Sequence, residues 1–332
     1  MARYTWRSRR PQPARLGEAR LAVADSNIQT MEYRKLGSLN VSLVGLGCNN
    51  FGWRTHAAGT AAVLDAALDA GINFFDTADV YGGGQSEEFL GKALKGRRQK
   101  AIIATKFGMK MGEGREGARP EYVRAALEAS LRRLQVDTID LYQIHRPDPS
   151  TPIADTLQVL NDAVKAGKVR EIGCSNFSAE QMRAARSTPG PRYFASVQND
   201  YSLLKRDAEA QVLPECARTG VAFLPYFPLA NGLLTGKYRQ GRPFPESSRG
   251  KDAFGPKVFT PVNIDRVEAL IAFSESRGHS LLELAFSWLA ARPEISSVIA
   301  GAKTRDQVRA NSRAASWQLT AADLVGVDRI LA

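Results

Sequence analysis

The stretch Asn73-Phe-Phe-Asp76-Thr-Ala-Asp-Val-Tyr81-Gly82 reads as a short apolar strand that ends in a carboxylate, with a tyrosine five residues further on. Two other segments have the same form, an apolar strand with one chemically active residue at its carboxyl end: Ala101-Ile-Ile-Ala-Thr-Lys106 and Ile139-Asp-Leu-Tyr-Gln-Ile-His145. Together they supply a phenol able to give a proton, an ammonium to lower its pKa from about 10, a carboxylate to hold the ammonium, and an orienting imidazole. Each residue alone has an ordinary reading as a packed tyrosine, a solvated lysine or a structural histidine. Their common position at strand ends is what singles out Asp76, Tyr81, Lys106 and His145 as a catalytic set.

Working outward, strand candidates recur at 42–46, 73–76, 101–105, 139–144, 169–174, 194–198, 221–225 and 296–300, most of them followed by a segment of helical period. Many are apolar on both faces, as buried parallel strands are. Eight strand–helix units imply a single (β/α)8 TIM barrel, in which catalytic residues come from the carboxyl ends of different strands. A doubly wound open sheet is the alternative. No G-x-G-x-x-G follows any strand, so a dinucleotide would be held in some other way than by that fingerprint. Helix punctuation is clear. Thr151 is read as a cap with Pro152 at the first position, ahead of Ile153, Leu157, Leu160 and Val164; Pro120 opens another helix, and Ser178…Gln181 and Thr304…Gln307 have capping-box spacing. The stretch 238–262 is the longest irregular segment after the first thirty residues and is expected to be a functional loop, a lid in particular.

Residues 1–30 differ from the rest. They carry six arginines against Glu18 and Asp25 and show little apolar periodicity, so they are expected to be a disordered extension, with a targeting segment or an upstream start as alternatives, and 31–332 the barrel. No h-region follows the arginines. The 332 residues are 44% hydrophobic, enough for a large core. No apolar run approaches the ~20 residues of a membrane span. Cys48, Cys174 and Cys216 form no CxxC pair, which argues for a reducing, cytoplasmic setting, and no residues have metal-site spacing. The net charge of +11 is without an aromatic-interleaved basic stripe, so no nucleic-acid partner is expected; a basic surface suits an anionic cofactor.

The chain resembles the aldo-keto reductase family in Asp76-Thr-Ala-Asp-Val-Tyr81-Gly82, Ala104-Thr-Lys106-Phe-Gly108 and Gln143-Ile-His145-Arg-Pro-Asp148. The resemblance implies a barrel that reduces a small carbonyl substrate with NADPH, less often NADH, with Tyr81 as general acid or base. It also implies cofactor contacts. Ser175, Asn176 and Gln198 correspond to the nicotinamide amide site, and Tyr226 to the aromatic that stacks on its ring. The run from Leu229 through Gly236 and Lys237 corresponds to the pyrophosphate loop. Gly301, Lys303, Gln307 and Asn311 correspond to the adenosine-phosphate site, with Lys303 opposite a 2′-phosphate; a capping box explains Gln307 equally well. The segment Gly47-Cys-Asn-Asn50-Phe-Gly52-Trp53 departs from the family pattern. Cys48 is read there as a small buried residue and Trp53 as part of the substrate pocket. An NADP(H)-sensing regulatory protein similar to ion-channel β subunits is the alternative function. A metal- or carboxylate-dependent barrel hydrolase would need clustered His/Asp ligands at strand ends, where only His145 is available. The sequence leaves the oligomeric state open.

Overall fold

The computed structural model describes residues 31–245 and 255–332. The expected extension at 1–30 and the centre of the 238–262 loop therefore lie outside the described residues. Among the described residues there are ten strands: β1 Tyr33–Leu36, β2 Leu39–Ser42, β3 Val44–Gly47, β4 Phe74–Asp76, β5 Ile102–Phe107, β6 Ile139–Ile144, β7 Val169–Ser175, β8 Ser196–Asp200, β9 Ala222–Tyr226 and β10 Val298–Gly301. The helices are α1 Ala57–Asp69, α2 Gln85–Ala93, α3 Pro120–Leu134, α4 Ile153–Lys165, α5 Ala179–Arg186, α6 Val212–Thr219, α7 Gly255–Val258, α8 Pro261–Glu275, α9 Leu281–Ala290, α10 Arg305–Arg313 and α11 Ala321–Leu331.

Eight strands form one parallel sheet in the order β10-β3-β4-β5-β6-β7-β8-β9. Its two edges meet where Phe223 N–H donates to Glu294 O at 2.8 Å and Ser296 N–H donates to Phe223 O at 3.2 Å. The closure makes this a (β/α)8 barrel rather than an open sheet. All eight expected strands are present, each shifted by no more than two or three residues. The strands are buried on both faces because side chains fill the interior while helices cover the outside.

The hairpin β1–β2 did not stand out in the sequence as a separate element. It pairs antiparallel, from Tyr33 opposite Ser42 to Leu36 opposite Leu39, and turns at Gly37, whose φ of +54° suits glycine. It lies across the amino-terminal ends of the barrel strands. Ser38 N–H donates to Glu171 on β7, Ser42 N–H to Asn73 Oδ1 just before β4, and Ser296 Oγ to Lys35 O. Leu36, Leu39 and Val41 then join Phe74, Leu141, Leu224 and Ile299 in one apolar cluster inside the barrel. The hairpin is a plug at the floor.

Two expectations at helix starts change. Thr151 does not cap α4: its hydroxyl donates to Asp148 Oδ2 at 2.8 Å, and Pro152 occupies the cap position. Asp148 is the stronger acceptor and lies within reach, so it takes the hydroxyl. At α10, Thr304 Oγ accepts from Gln307 N–H, but the Gln307 side chain accepts from Lys303 N–H instead of closing the box on Thr304. The box at Ser178–Gln181 is complete, and Pro120 opens α3 as read.

At the described edges of the 238–262 segment, the rings of Tyr238, Phe244 and Phe259 pack on one another with centroids 4.6–5.5 Å apart. Truncating the floor plug tests its contribution. Leu36→Ala is expected to cost about 2–5 kcal/mol of stability, as a buried leucine truncation does. Urea unfolding would measure this, with little change in ligand binding at the opposite end.

Candidate active site

The carboxyl ends of the barrel strands surround a cleft of about 560 Å³. Asp76 ends β4, Lys106 lies near the end of β5, His145 follows β6, and Tyr81 stands on the loop after β4. That loop is held to β5 by Thr77 N–H donating to Ala104 O and Asp79 N–H donating to Lys106 O. It turns through Gly82, Gly83 and Gly84, all at positive φ, and a Cβ on Gly82 would stand 3.0 Å from the Gly52 backbone. The glycines let the Tyr81 loop pack directly on the loop after β3.

Lys106 is fully buried, 0% exposed, and donates to Asp76 Oδ2 at 2.6 Å and Thr77 O at 2.9 Å. Its ammonium lies 5.3 Å from the centre of the Tyr81 ring. Burial works against the Lys106 charge, yet Asp76 and Tyr81 hold its pKa above the ordinary lysine value. Burial also raises the Tyr81 phenol, and Lys106 opposes that rise without cancelling it. The expectation of a phenol acidified at rest is thus corrected, because desolvation outweighs one neighbouring charge. Tyr81 is protonated at neutral pH, and Lys106 limits the cost of removing that proton.

The His145 ring meets Tyr81 edge-on, with centroids 5.9 Å apart. Burial, together with the charges of Lys106 and Arg146, pushes the imidazole down to about 3, so it is neutral near pH 7. Its Nδ1 is buried without a partner, which leaves Nε2 as the nitrogen open to the cleft.

Asp76, Tyr81 and His145 all line the cleft, with Lys106 directly behind them. Ser175, Asn176, Gln198, Tyr226, Leu229, Lys237, Gly301, Lys303, Gln307 and Asn311 line the same cleft, whereas Gly236 does not. Gly236 instead ends the turn at φ +79°. Several lining groups are bonded to one another. Ser175 Oγ donates to Gln198 O at 2.7 Å, Asn176 Nδ2 donates to His145 O at 2.9 Å, and the Tyr226 hydroxyl donates to Asn176 Oδ1 at 2.7 Å. Gln198 Nε2 donates to Asp76 Oδ1 at 2.9 Å, so its side-chain oxygen and second amide hydrogen are what remain for a ligand. Trp53 is 58% exposed and does not line the cleft; the Arg54 guanidinium covers its ring at 4.3 Å. Cys48 is buried, and burial holds its thiol well above the ordinary range.

The sequence reading missed Gln143, whose Nε2 reaches Asp76 Oδ1 at 3.4 Å, and Arg146, which lines the cleft. The period-two alternation that puts Gln143 on the same strand face as His145 was the available signal for the first. For Arg146 the signal was only its position next to His145.

The cleft suits a large anion. Among the described residues it is lined by Arg54, Arg146, Lys237 and Lys303, against one carboxylate, Asp76, which Lys106 already neutralises. The backbone curls through Ala230, Asn231 and Gly232 at positive φ. A Cβ on Gly301 would stand 3.0 Å from Asn50 Nδ2, so glycine keeps that gap clear. The phosphates and amide of a nicotinamide dinucleotide match these donors. Among the described residues no three His, Cys, Asp or Glu side chains are placed to hold a metal, and no helix is long and apolar enough to cross a membrane.

The Aldo/keto reductase family model matches residues 43–332. The chain belongs to the aldo-keto reductase family. It is 36% identical over 313 residues to aldo-keto reductase YhdN of Bacillus subtilis (strain 168), covering 91% of this chain and 94% of that protein. It is 33% identical over 299 residues to a probable voltage-gated potassium channel subunit beta of Oryza sativa subsp. japonica, covering 86% and 91%. The structure of the glycerol dehydrogenase AKR11B4 from Gluconobacter oxydans superposes with a TM-score of 0.79 at 33% identity, covering 90% of this chain and 95% of that one. This aldo-keto reductase is therefore an oxidoreductase of a family that uses nicotinamide cofactors and small carbonyl substrates.

Behind the Tyr81 loop, Asp79 is buried with Oδ1 unpartnered, and its Oδ2 is 3.5 Å from the Tyr122 hydroxyl. Burial and the neighbouring Glu87 charge push it up to about 7. Its pKa is higher folded than in an unfolded chain, near 3.9. It therefore favours folding below about pH 4, and that contribution is lost as pH rises towards 7. Asp79→Asn, which mimics the neutral acid, is expected to flatten this part of the stability–pH profile and to raise the melting temperature at pH 8. Calorimetry from pH 4 to 8 would check both.

Proposed function

We propose that this protein reduces an aldehyde or ketone to an alcohol with NADPH, or runs the reverse oxidation. The observation that carries the reading is the convergence on one cleft of a protonated Tyr81, the buried Lys106–Asp76 pair behind it, and the open nitrogen of a neutral His145. The reduced nicotinamide, when bound, supplies hydride from its C4 to the carbonyl carbon. Tyr81 donates its phenol proton to the carbonyl oxygen as negative charge builds there. Lys106 stabilises the phenolate left behind, and Asp76 fixes the ammonium in place. His145, neutral and carrying its proton on Nε2, donates to the same oxygen and sets its direction. In alcohol oxidation Tyr81 accepts the proton instead.

For the cofactor, Ser175, Asn176 and the Gln198 carbonyl would take the carboxamide, and the Tyr226 ring would stack on the nicotinamide. Leu229 to Lys237 would follow the pyrophosphate, and Gly301, Lys303, Gln307 and Asn311 would hold the adenosine end. Lys303, which lines the cleft, would suit a 2′-phosphate and so favours NADPH over NADH. The likeness to a potassium-channel β subunit favours a second reading, a nicotinamide-sensing regulatory protein. Cofactor binding with no oxidation of NADPH across a panel of simple aldehydes would select it.

Tyr81→Phe is expected to lower kcat by about 10²–10⁴-fold, the usual worth of a positioned general acid, while leaving the Kd for NADPH nearly unchanged. Stopped-flow turnover with fluorescence titration separates the two, and undiminished turnover would overturn the role. Lys303→Ala is expected to raise the KM for NADPH by about tenfold, with a smaller effect on NADH, since a charge-assisted phosphate contact is lost.

A further inference from the structure

The cationic groups that line the cleft are not all on one side. Lys237 follows β9 and Lys303 follows β10, adjacent strands at the closure of the barrel. Arg146 follows β6, which lies four strands from β10 in a ring of eight, on the opposite rim. It is thus on the far side of the mouth from the proposed phosphate contacts and next to His145. Arg146 lines the cleft, and its guanidinium makes no hydrogen bond or ion pair with any described residue. The nearest carboxylate in sequence, Asp148, is engaged elsewhere, accepting from Ala118 N–H, Ser150 and Thr151. The charge of Arg146 reaches into the cleft, since it acts against the protonation of His145 and lowers the pKa of Tyr226 against the rise caused by burial.

We propose that Arg146 binds an anionic group of the substrate, so that this enzyme prefers carbonyl compounds that also carry a carboxylate or a phosphate ester. The inference rests on the carbonyl-reduction reading above. An arginine fork on the substrate side of the cleft fits either anion with two parallel hydrogen bonds, and a concave wall strengthens them. With the anion held there, the carbonyl oxygen would be drawn toward Tyr81 and His145 rather than lying free in the cleft.

The test uses the full-length protein with NADPH and two matched pairs: succinic semialdehyde against butanal, and glyceraldehyde 3-phosphate against glyceraldehyde. The wild type is expected to favour at least one charged member by about tenfold or more in kcat/KM. Arg146→Ala should bring that ratio near one, chiefly through KM, and Arg146→Lys should retain part of it. The pair that responds identifies the anion. A wild-type ratio at or below one in both pairs, or a ratio unmoved by Arg146→Ala, overturns the proposal. A second arm needs no turnover. Butyrate and butyl phosphate are titrated against butanol into the NADP⁺-saturated protein by calorimetry. Arg146-dependent binding of either anion supports the inference even if every aldehyde fails to react, a result that would instead sink carbonyl reduction. Anion binding equal in wild type and Arg146→Ala, or a variant that loses NADPH affinity while keeping the substrate ratio, overturns it.

Discussion

A single carboxylate ties the mouth of this barrel together. Asp76, at the end of β4, accepts from Lys106 on β5, Gln143 on β6 and Gln198 on β8. An ammonium with no solvent exposure survives only if it is paired and hydrogen-bonded, because an uncompensated buried charge costs several kcal/mol. Asp76 and Thr77 O meet that need for Lys106. Their grip fixes where Lys106 lies, and Lys106 in turn opposes part of the rise that burial imposes on Tyr81. The pair is better understood as a device for placing charge beside a phenol than as a source of stability, since an apolar replacement of similar shape is often no less stable.

The neighbours of this pair divide the work by protonation state. Tyr81 is kept protonated by burial, His145 is kept neutral by burial and two cations, and Lys106 is kept charged by its partners despite burial. A protonated phenol, a neutral imidazole and a fixed positive charge thus coexist at neutral pH, with no group changing its charge there. The same desolvation acts on all three, and the local partners decide the outcome for each.

Most of this frame was legible in the chain. The eight barrel strands stood out because burial on both faces gives unbroken apolar runs, and the strand-end positions of Asp76, Lys106 and His145 followed from them. What escaped had physical reasons. The β1–β2 hairpin has four-residue strands and no helix between them, so it carries neither the βα rhythm nor a long alternation. Thr151 has the chemistry of a cap, but the choice between helix N–H and Asp148 is made by tertiary proximity. The sign of the Tyr81 shift depends on how much water its hydroxyl loses, which residue types alone do not state. Trp53 is aromatic and near the site in sequence, yet its loop turns it outward under Arg54.

The floor of the barrel carries a consequence of its own. With Leu36, Leu39 and Val41 packed into the amino-terminal opening, the tube is blind. Whatever is taken up must go out again through the doorway by which it came. On the reading proposed above, dinucleotide and small substrate would share that single doorway, and neither could leave by the floor.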